Sequence, residues 1–270
     1  MSTLRIIGAF LRRNAIIETS YRLQLLLTIG GILASMTTFF FVARLVDHHL
    51  LPLHAAYGRD YFAFVLVGLA CAQYSSVATY GMATHLRQEQ MQGTLETMLA
   101  HPVRLRELVL GLPAWEFCWA TMQLALYLVL GVWLFHCDVS RANWPAAALV
   151  LSASLIAFFG LGLISAACVL LFKRGNPIQW VLNTTFTLLG GVYFPVGLLP
   201  APLATAAQAL PITHVLHGLR QALLSGEPLA GMLPSLGIIL LFGLLLLPLG
   251  AWMLAAALRH ARRQGSLLTY

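Results

Sequence analysis

Glu116 is the only acid set inside an apolar run of this chain. An ionisable side chain costs free energy in hydrocarbon and is kept there for a function or for a partner. Its place early in the run suits two readings, a pathway or coupling group, or half of a structural pair. His48, His49 and His54 stand beside Asp47 in a polar connection without a cysteine, which reads as a loop in preference to a metal centre. Cys71, Cys118 and Cys168 lie within apolar runs and Cys137 near a boundary. No C-x-x-C spacing links them, so they read as buried thiols. H-E-x-x-H is absent, no acid pair falls inside an apolar run, and no Ser–His arrangement sits at a recognisable motif. The chain is therefore read as a non-enzyme. No G-x-x-x-x-G-K-[ST] phosphate loop is present either, so no cofactor is expected on this polypeptide.

The elements that must position these residues are set by composition. The chain has 270 residues, 59% hydrophobic and only 9% charged, with a mean hydropathy of +0.81. Soluble domains carry about 25% charged residues, so this chain is expected to be an all-α integral membrane protein. Its length suits one bundle of about six spans of roughly 20 residues each. The net charge of +7 flanks apolar runs, which fits membrane topology and argues against nucleic acid as a partner.

Residues 1–22 carry Arg5, Arg12, Arg13 and Arg22, with Leu4, Ile7, Leu11 and Ala15 at helical spacing. This predicts an amphipathic helix on the membrane surface. The apolar run after Arg22 is too long for the core of a signal peptide, so no cleavage is expected. Spans are expected at about 23–43, 61–84, 108–135, 144–172, 178–199 and 232–258. Pro195, Pro200, Pro202 and Pro211 cannot support one continuous helix. Two short helices, 201–209 and 212–223, are expected instead, within a re-entrant segment at 200–230. With the N-terminus inside, twelve of the sixteen lysines and arginines fall on the inner side. Arg44, Arg59, Arg141 and Arg220 fall outside. Both termini are thus expected in the cytoplasm.

Between spans two and three lies a polar island at 85–107, in which Gly93 and Pro102 bracket a segment too short for a stable isolated helix. Leu95, Met98 and Leu99 share a face, and Glu96 favours the helix dipole. Such a helix needs something to dock against. Within the spans, Asn183, Thr184, Thr185 and Thr187, with Gln73, Tyr74, Ser75 and Ser76, suit interhelical hydrogen bonds or a lined path. Phe39, Phe40 and Phe41, with Tyr193 and Phe194, suit a lipid-facing belt or a gate. His136, His214 and His217 read as structural, and His214 also stands among the pathway candidates.

Two stretches resemble a known family. Gln88-Glu-Gln-Met-Gln-Gly-Thr-Leu-Glu-Thr-Met-Leu-Ala-His-Pro-Val103, followed by Arg106-Glu-Leu-Val-Leu-Gly111, is similar to the cytoplasmic loop of type-2 ABC transporter permeases. Gly190-Gly-Val-Tyr-Phe-Pro-Val-Gly-Leu-Leu-Pro200, then Leu210-Pro-Ile-Thr-His-Val-Leu-His-Gly-Leu-Arg220, resembles that family's segment before the last span. The resemblance covers almost the whole chain as a single transmembrane domain. It implies an exporter subunit of the inner membrane that moves an amphipathic or lipid-linked substrate by alternating access. It also implies two copies of an ABC ATPase that hold ATP and Mg, and a second permease copy or close paralogue, among membrane lipids. By the same resemblance, Gly93, Thr94, Leu95, Glu96, Met98 and Leu99 form a coupling helix. Arg87 and Glu89 would end span two, within reach of the interfacial helix or the ATPase. An ion-coupled secondary transporter or a non-transporting scaffold is the alternative; an adjacent reading frame encoding a phosphate-loop ATPase would decide against it.

Overall fold

The computed structural model describes residues 3–45, 60–91, 111, 114–172 and 177–263. Helix α1 runs Thr3–Ser20 and breaks at Tyr21 before α2, Arg22–Leu45. Then come α3 (Tyr61–Met91), α4 (Ala114–Phe135), α5 (Trp144–Phe172) and α6 (Pro177–Leu189). A 3-10 turn at Val196–Leu198 leads to α7 (Ala201–Gln208) and α8 (Pro211–Arg220). A π turn at Gln221–Ser225 ends at Gly226, and α9 spans Leu229–Arg263. No strand occurs among the described residues.

Local chemistry sets several of these boundaries. Asp60 accepts the Phe62 N–H at 2.9 Å and so caps the start of α3. Asn143 does the same for α5, accepting the Ala146 N–H at 3.2 Å. Pro200 and Pro211 stand at the starts of α7 and α8, where a missing N–H costs nothing.

Among the described residues five helices, α2, α3, α4, α5 and α9, are long and apolar enough to cross a membrane. Four of the expected spans correspond closely to α2, α3, α5 and α9, and α4 accounts for the third from Ala114 onward. The expected span at 178–199 differs. Helix α6 stops at Leu189 after 13 residues, about 20 Å of helix against about 30 Å of hydrocarbon. The reason lies in Gly190 and Gly191, the second with φ +84, which turn the chain before Pro195 and its 3-10 turn.

Helices α3 and α5 form the buried centre, with Tyr74, Phe64, Phe158 and Leu163 among the side chains closed to solvent. Both are apolar on every face, as a fully surrounded helix must be. The outward faces are apolar as well: Leu240, Leu241, Leu244, Leu245 and Trp252 of α9 are exposed. A bundle with apolar residues inside and outside is solvated by lipid or by another protein. Helices α5 and α9 run parallel, since Gly243 lies against Ile156 and Gly160 against Leu246 and Leu247. The intervening chain must therefore return from one end of the bundle to the other.

Candidate functional site

The polar side chains gather at opposite ends of α3. At its C-terminal end, the Arg13 Nη2 of α1 donates to Glu89 Oε1 at 3.0 Å. The Arg13 Nε also holds the Asn14 side-chain oxygen at 3.1 Å. One turn earlier, His85 Nε2 donates to Glu116 Oε1 of α4 at 2.7 Å. Gly81 makes room for that carboxylate, because a Cβ there would lie 2.6 Å from Glu116 Cγ. Trp115 and Trp119 stack one helical turn apart, with centroids 6.4 Å apart.

These groups border an open cleft of about 730 Å³ between α1, α2, α3 and α4, with Gln24 and Gln88 on its walls. There Arg13 is ion-paired with Glu89 and His85 is hydrogen-bonded to Glu116. The Nδ2 of Asn14 is buried against the cleft without a hydrogen-bond partner among the described residues.

At the other end of α3, the side chains close around the turn after α6. Phe39 stacks on Tyr193 at 4.9 Å, and Phe40 packs on Phe62 and Phe135. Tyr61 donates its hydroxyl to the Tyr193 carbonyl at 3.0 Å. Arg220, at the end of α8, is 4% exposed. Its guanidinium donates to the carbonyls of Phe64, Gly191 and Val192 at 2.8 to 3.3 Å. It also lies 3.4 Å over the Phe64 ring, a cation–π geometry. A smaller cavity of about 320 Å³ opens beside it, lined by Pro195, Ala204, Thr213 and His214. Glu89 lies at the edge of the first motif region singled out in the sequence, and the prolines and Arg220 belong to the second.

The ABC-2 type transporter family model matches residues 9–224. The chain belongs to the ABC-2 type transporter family. It is 28% identical over 190 residues to Nodulation protein J of Rhizobium leguminosarum bv. trifolii, covering 68% of this chain and 70% of the relative. Nodulation protein J of Rhizobium meliloti (strain 1021) is 27% identical over 177 residues, 64% and 65% of the two chains. Inner membrane transport permease YadH of Escherichia coli (strain K12) is 23% identical over 194 residues, 70% and 73% of the two chains. The protein is accordingly the membrane subunit of an ABC transporter and crosses the membrane several times.

In this ABC-2 subunit the structure joins some of the sequence candidates and separates others. Glu89 meets Arg13 of the amphipathic helix, one of its two anticipated partners, and shares a cleft with Glu116. Phe39 and Tyr193 come together, whereas Phe41 points outward. Asn183 is exposed on α6, away from both clusters. His214 donates to the Gln208 carbonyl at 2.8 Å, which ties α8 to the end of α7. Arg87 is partly buried near the end of α3, and Phe194 is partly buried in the turn. Gly93, Thr94, Leu95, Glu96, Met98 and Leu99 lie outside the described residues, as do His48, His49 and His54. Among the described residues no group of three metal-binding side chains occurs.

Arg220, counted on the outer side and expected within a re-entrant helix, is buried and donates to three backbone carbonyls. Asn14 and His85 were not singled out at all. The partner of His85 lies on another helix, 31 positions away, so helical spacing alone carries no signal for it.

The His85–Glu116 pair yields a measurable expectation. Glu116→Gln keeps an acceptor for His85 and should cost less than about 1 kcal/mol. Glu116→Ala strands the imidazole in a site that is largely buried and should cost about 1–3 kcal/mol. Thermal melts of the purified subunit compare the two; equal losses would mean that the pair is not what Glu116 stabilises.

Proposed function

We propose that this chain is the permease subunit of an ATP-driven exporter in the inner membrane, working with a second permease copy or close paralogue. Two cytoplasmic ABC ATPase copies would bind ATP and Mg, and a coupling helix at 93–99 would seat in each. The observation that carries this reading is the construction of α3. Its last turn is salt-bridged to α1 immediately before the polar island, and its first turn is bonded to the proline-rich segment at the far end. Movement of the island would then shift α3, and α3 would shift the far end, which is the requirement of alternating access.

The parallel run of α5 and α9 supports a sixth crossing between them. Helix α6 makes most of the return, and the short α7 and α8 complete it as re-entrant pieces. The five spanning helices and α6 would alternate so that α1, the island and the end of α9 share one side. The excess of lysine and arginine there supports a cytoplasmic position for that side and for both termini. Cargo would be an amphipathic or lipid-linked molecule whose polar part enters the cleft at Asn14, Glu116 and Trp119. Phe39, Phe40, Tyr193, Phe194 and His214 would form the outer gate, with Asn183 facing the second copy or the path. Residues 1–270 act as one transmembrane domain among membrane lipids, with no nucleic acid involved.

The test is assembly. The intact permease should co-purify with a phosphate-loop ATPase. Glu96→Arg and Leu95→Asp should each reduce recovery of that ATPase at least tenfold while the permease stays monodisperse. Wild-type recovery by both variants would sink the coupling-helix assignment.

A further inference from the structure

We propose that Arg220 is a positioning residue of the transport cycle, a latch that ties the turn after α6 to the first turns of α3 so that the two move as one piece. The proposal rests on the ATP-driven reading given above, because it specifies how the motion of α3 reaches the outer side.

The geometry is unusually complete for one side chain. Helix α6 ends at Leu189, and the next residues leave their carbonyls without helical partners. Gly191 and Val192 give theirs to Arg220, at 2.8 and 3.1 Å. Tyr193 gives its carbonyl to Tyr61 of α3 at 3.0 Å. Three successive carbonyls of the turn are thus taken by side chains, one of them from α3 itself. The same guanidinium reaches the Phe64 carbonyl with Nε and Nη2, at 3.3 and 3.1 Å, and covers the Phe64 ring. A planar fork with several fixed donors can bridge two backbones in this way, and a lysine ammonium cannot.

The backbones are also pressed together. A Cβ at Gly68 of α3 would run into the Val192 carbonyl and Arg220 Nη2. Only glycine admits this approach, one helical turn after Phe64. Arg220 in turn stands at the junction of α8 and the π turn Gln221–Ser225. Single π turns occur frequently at functional positions, and here one delivers the guanidinium to the turn. The latch therefore joins α3, the end of α6 and α8. Removing the fork while keeping the charge should free the turn from α3 without abolishing assembly, since the α3–α4 and α5–α9 packing lies elsewhere.

The experiment uses the full permease with its co-purifying ATPase in lipid vesicles. In a background lacking the four native cysteines, Leu198→Cys places a thiol on the exposed 3-10 turn. A membrane-impermeant maleimide is the probe. In the parent protein the labelling rate should change at least threefold when ATP and vanadate trap the ATPase. With Arg220→Lys added, ATP hydrolysis should stay within about twofold of the parent while the labelling rate becomes independent of nucleotide. An arginine with no part in the cycle would instead leave the nucleotide response intact, or lower hydrolysis in a complex that still assembles; either result overturns the latch. If the parent itself shows no nucleotide response, the ATP-driven reading fails and the latch fails with it. Should Arg220→Lys not assemble, hydrogen exchange on the unmodified complex decides. Amides at 61–68 and 190–198 must change protection together on trapping, and a change confined to one segment overturns the proposal.

Discussion

Gly160→Leu should remove the folded subunit almost entirely. A Cβ at Gly160 would lie 2.6 Å from the Leu246 carbonyl carbon and 2.7 Å from the Leu247 nitrogen. The partner is backbone, so no side-chain rotation relieves the clash. From the other side, a Cβ at Gly250 would lie 2.8 Å from Leu163 Cβ and would meet the Gly160 carbonyl. In hydrocarbon, helices associate through close packing of small residues, since burial from water contributes nothing there. Here that packing holds α9 against α5, the central buried helix. Overpacking a close contact costs about 1–3 kcal/mol when side chains can shift. Against backbone the cost should reach about 3 kcal/mol or more, out of a total stability of about 5–15 kcal/mol. The check is the monodisperse yield and melting temperature after extraction. Gly237→Leu is the control, because a Cβ there meets nothing within 4 Å. Equal losses at both positions would show that leucine on α9 or α5 is disfavoured for reasons other than this contact.

The bundle was legible in the sequence where a local cause acts. Apolar runs end at charges, and prolines start short helices, so the pieces Ala201–Gln208 and Pro211–Arg220 match the expected 201–209 and 212–223 within a few residues. Span five was overextended because Gly190, Gly191 and Tyr193 are apolar enough to continue a hydropathy run. What ends the helix is a glycine at φ +84 whose carbonyl is captured by a residue 29 positions later. The burial of Arg220 was illegible for the same reason, since nothing local shows that three carbonyls await its guanidinium. The cleft was half legible. Glu116 stood out as an acid inside an apolar run and Glu89 through the family resemblance, but the cleft exists only because α1 folds back on α3 and α4. Asn14 could not be read as a buried amide from a helix whose visible stripe was Leu11 and Ala15.

The α1–α3 tie can be isolated by charge reversal. Glu89 has a side chain only 8% exposed, against 40% for Arg13. Arg13→Glu faces the buried Glu89 carboxylate with a second negative charge, and Glu89→Arg meets Arg13 with a second cation. Breaking a fully buried pair costs about 3–5 kcal/mol. Because Arg13 is substantially solvated, screening should reduce this to about 1–2 kcal/mol for each single reversal. The double variant Arg13→Glu/Glu89→Arg should recover most of that loss, giving a coupling energy of about 2 kcal/mol that shrinks as salt is raised. Melting temperatures of the four proteins measure it. Strictly additive losses would mean that the two residues stabilise the subunit independently. The same four proteins bear on function, since Glu89 lies on the last turn before the island proposed to meet the ATPase. If α1 steadies that turn, each single reversal should lower ATPase stimulation in the assembled complex several-fold, and the double variant should restore it in parallel with stability. Restored stability without restored stimulation would separate the two roles, and would place the functional requirement on the Glu89 carboxylate itself.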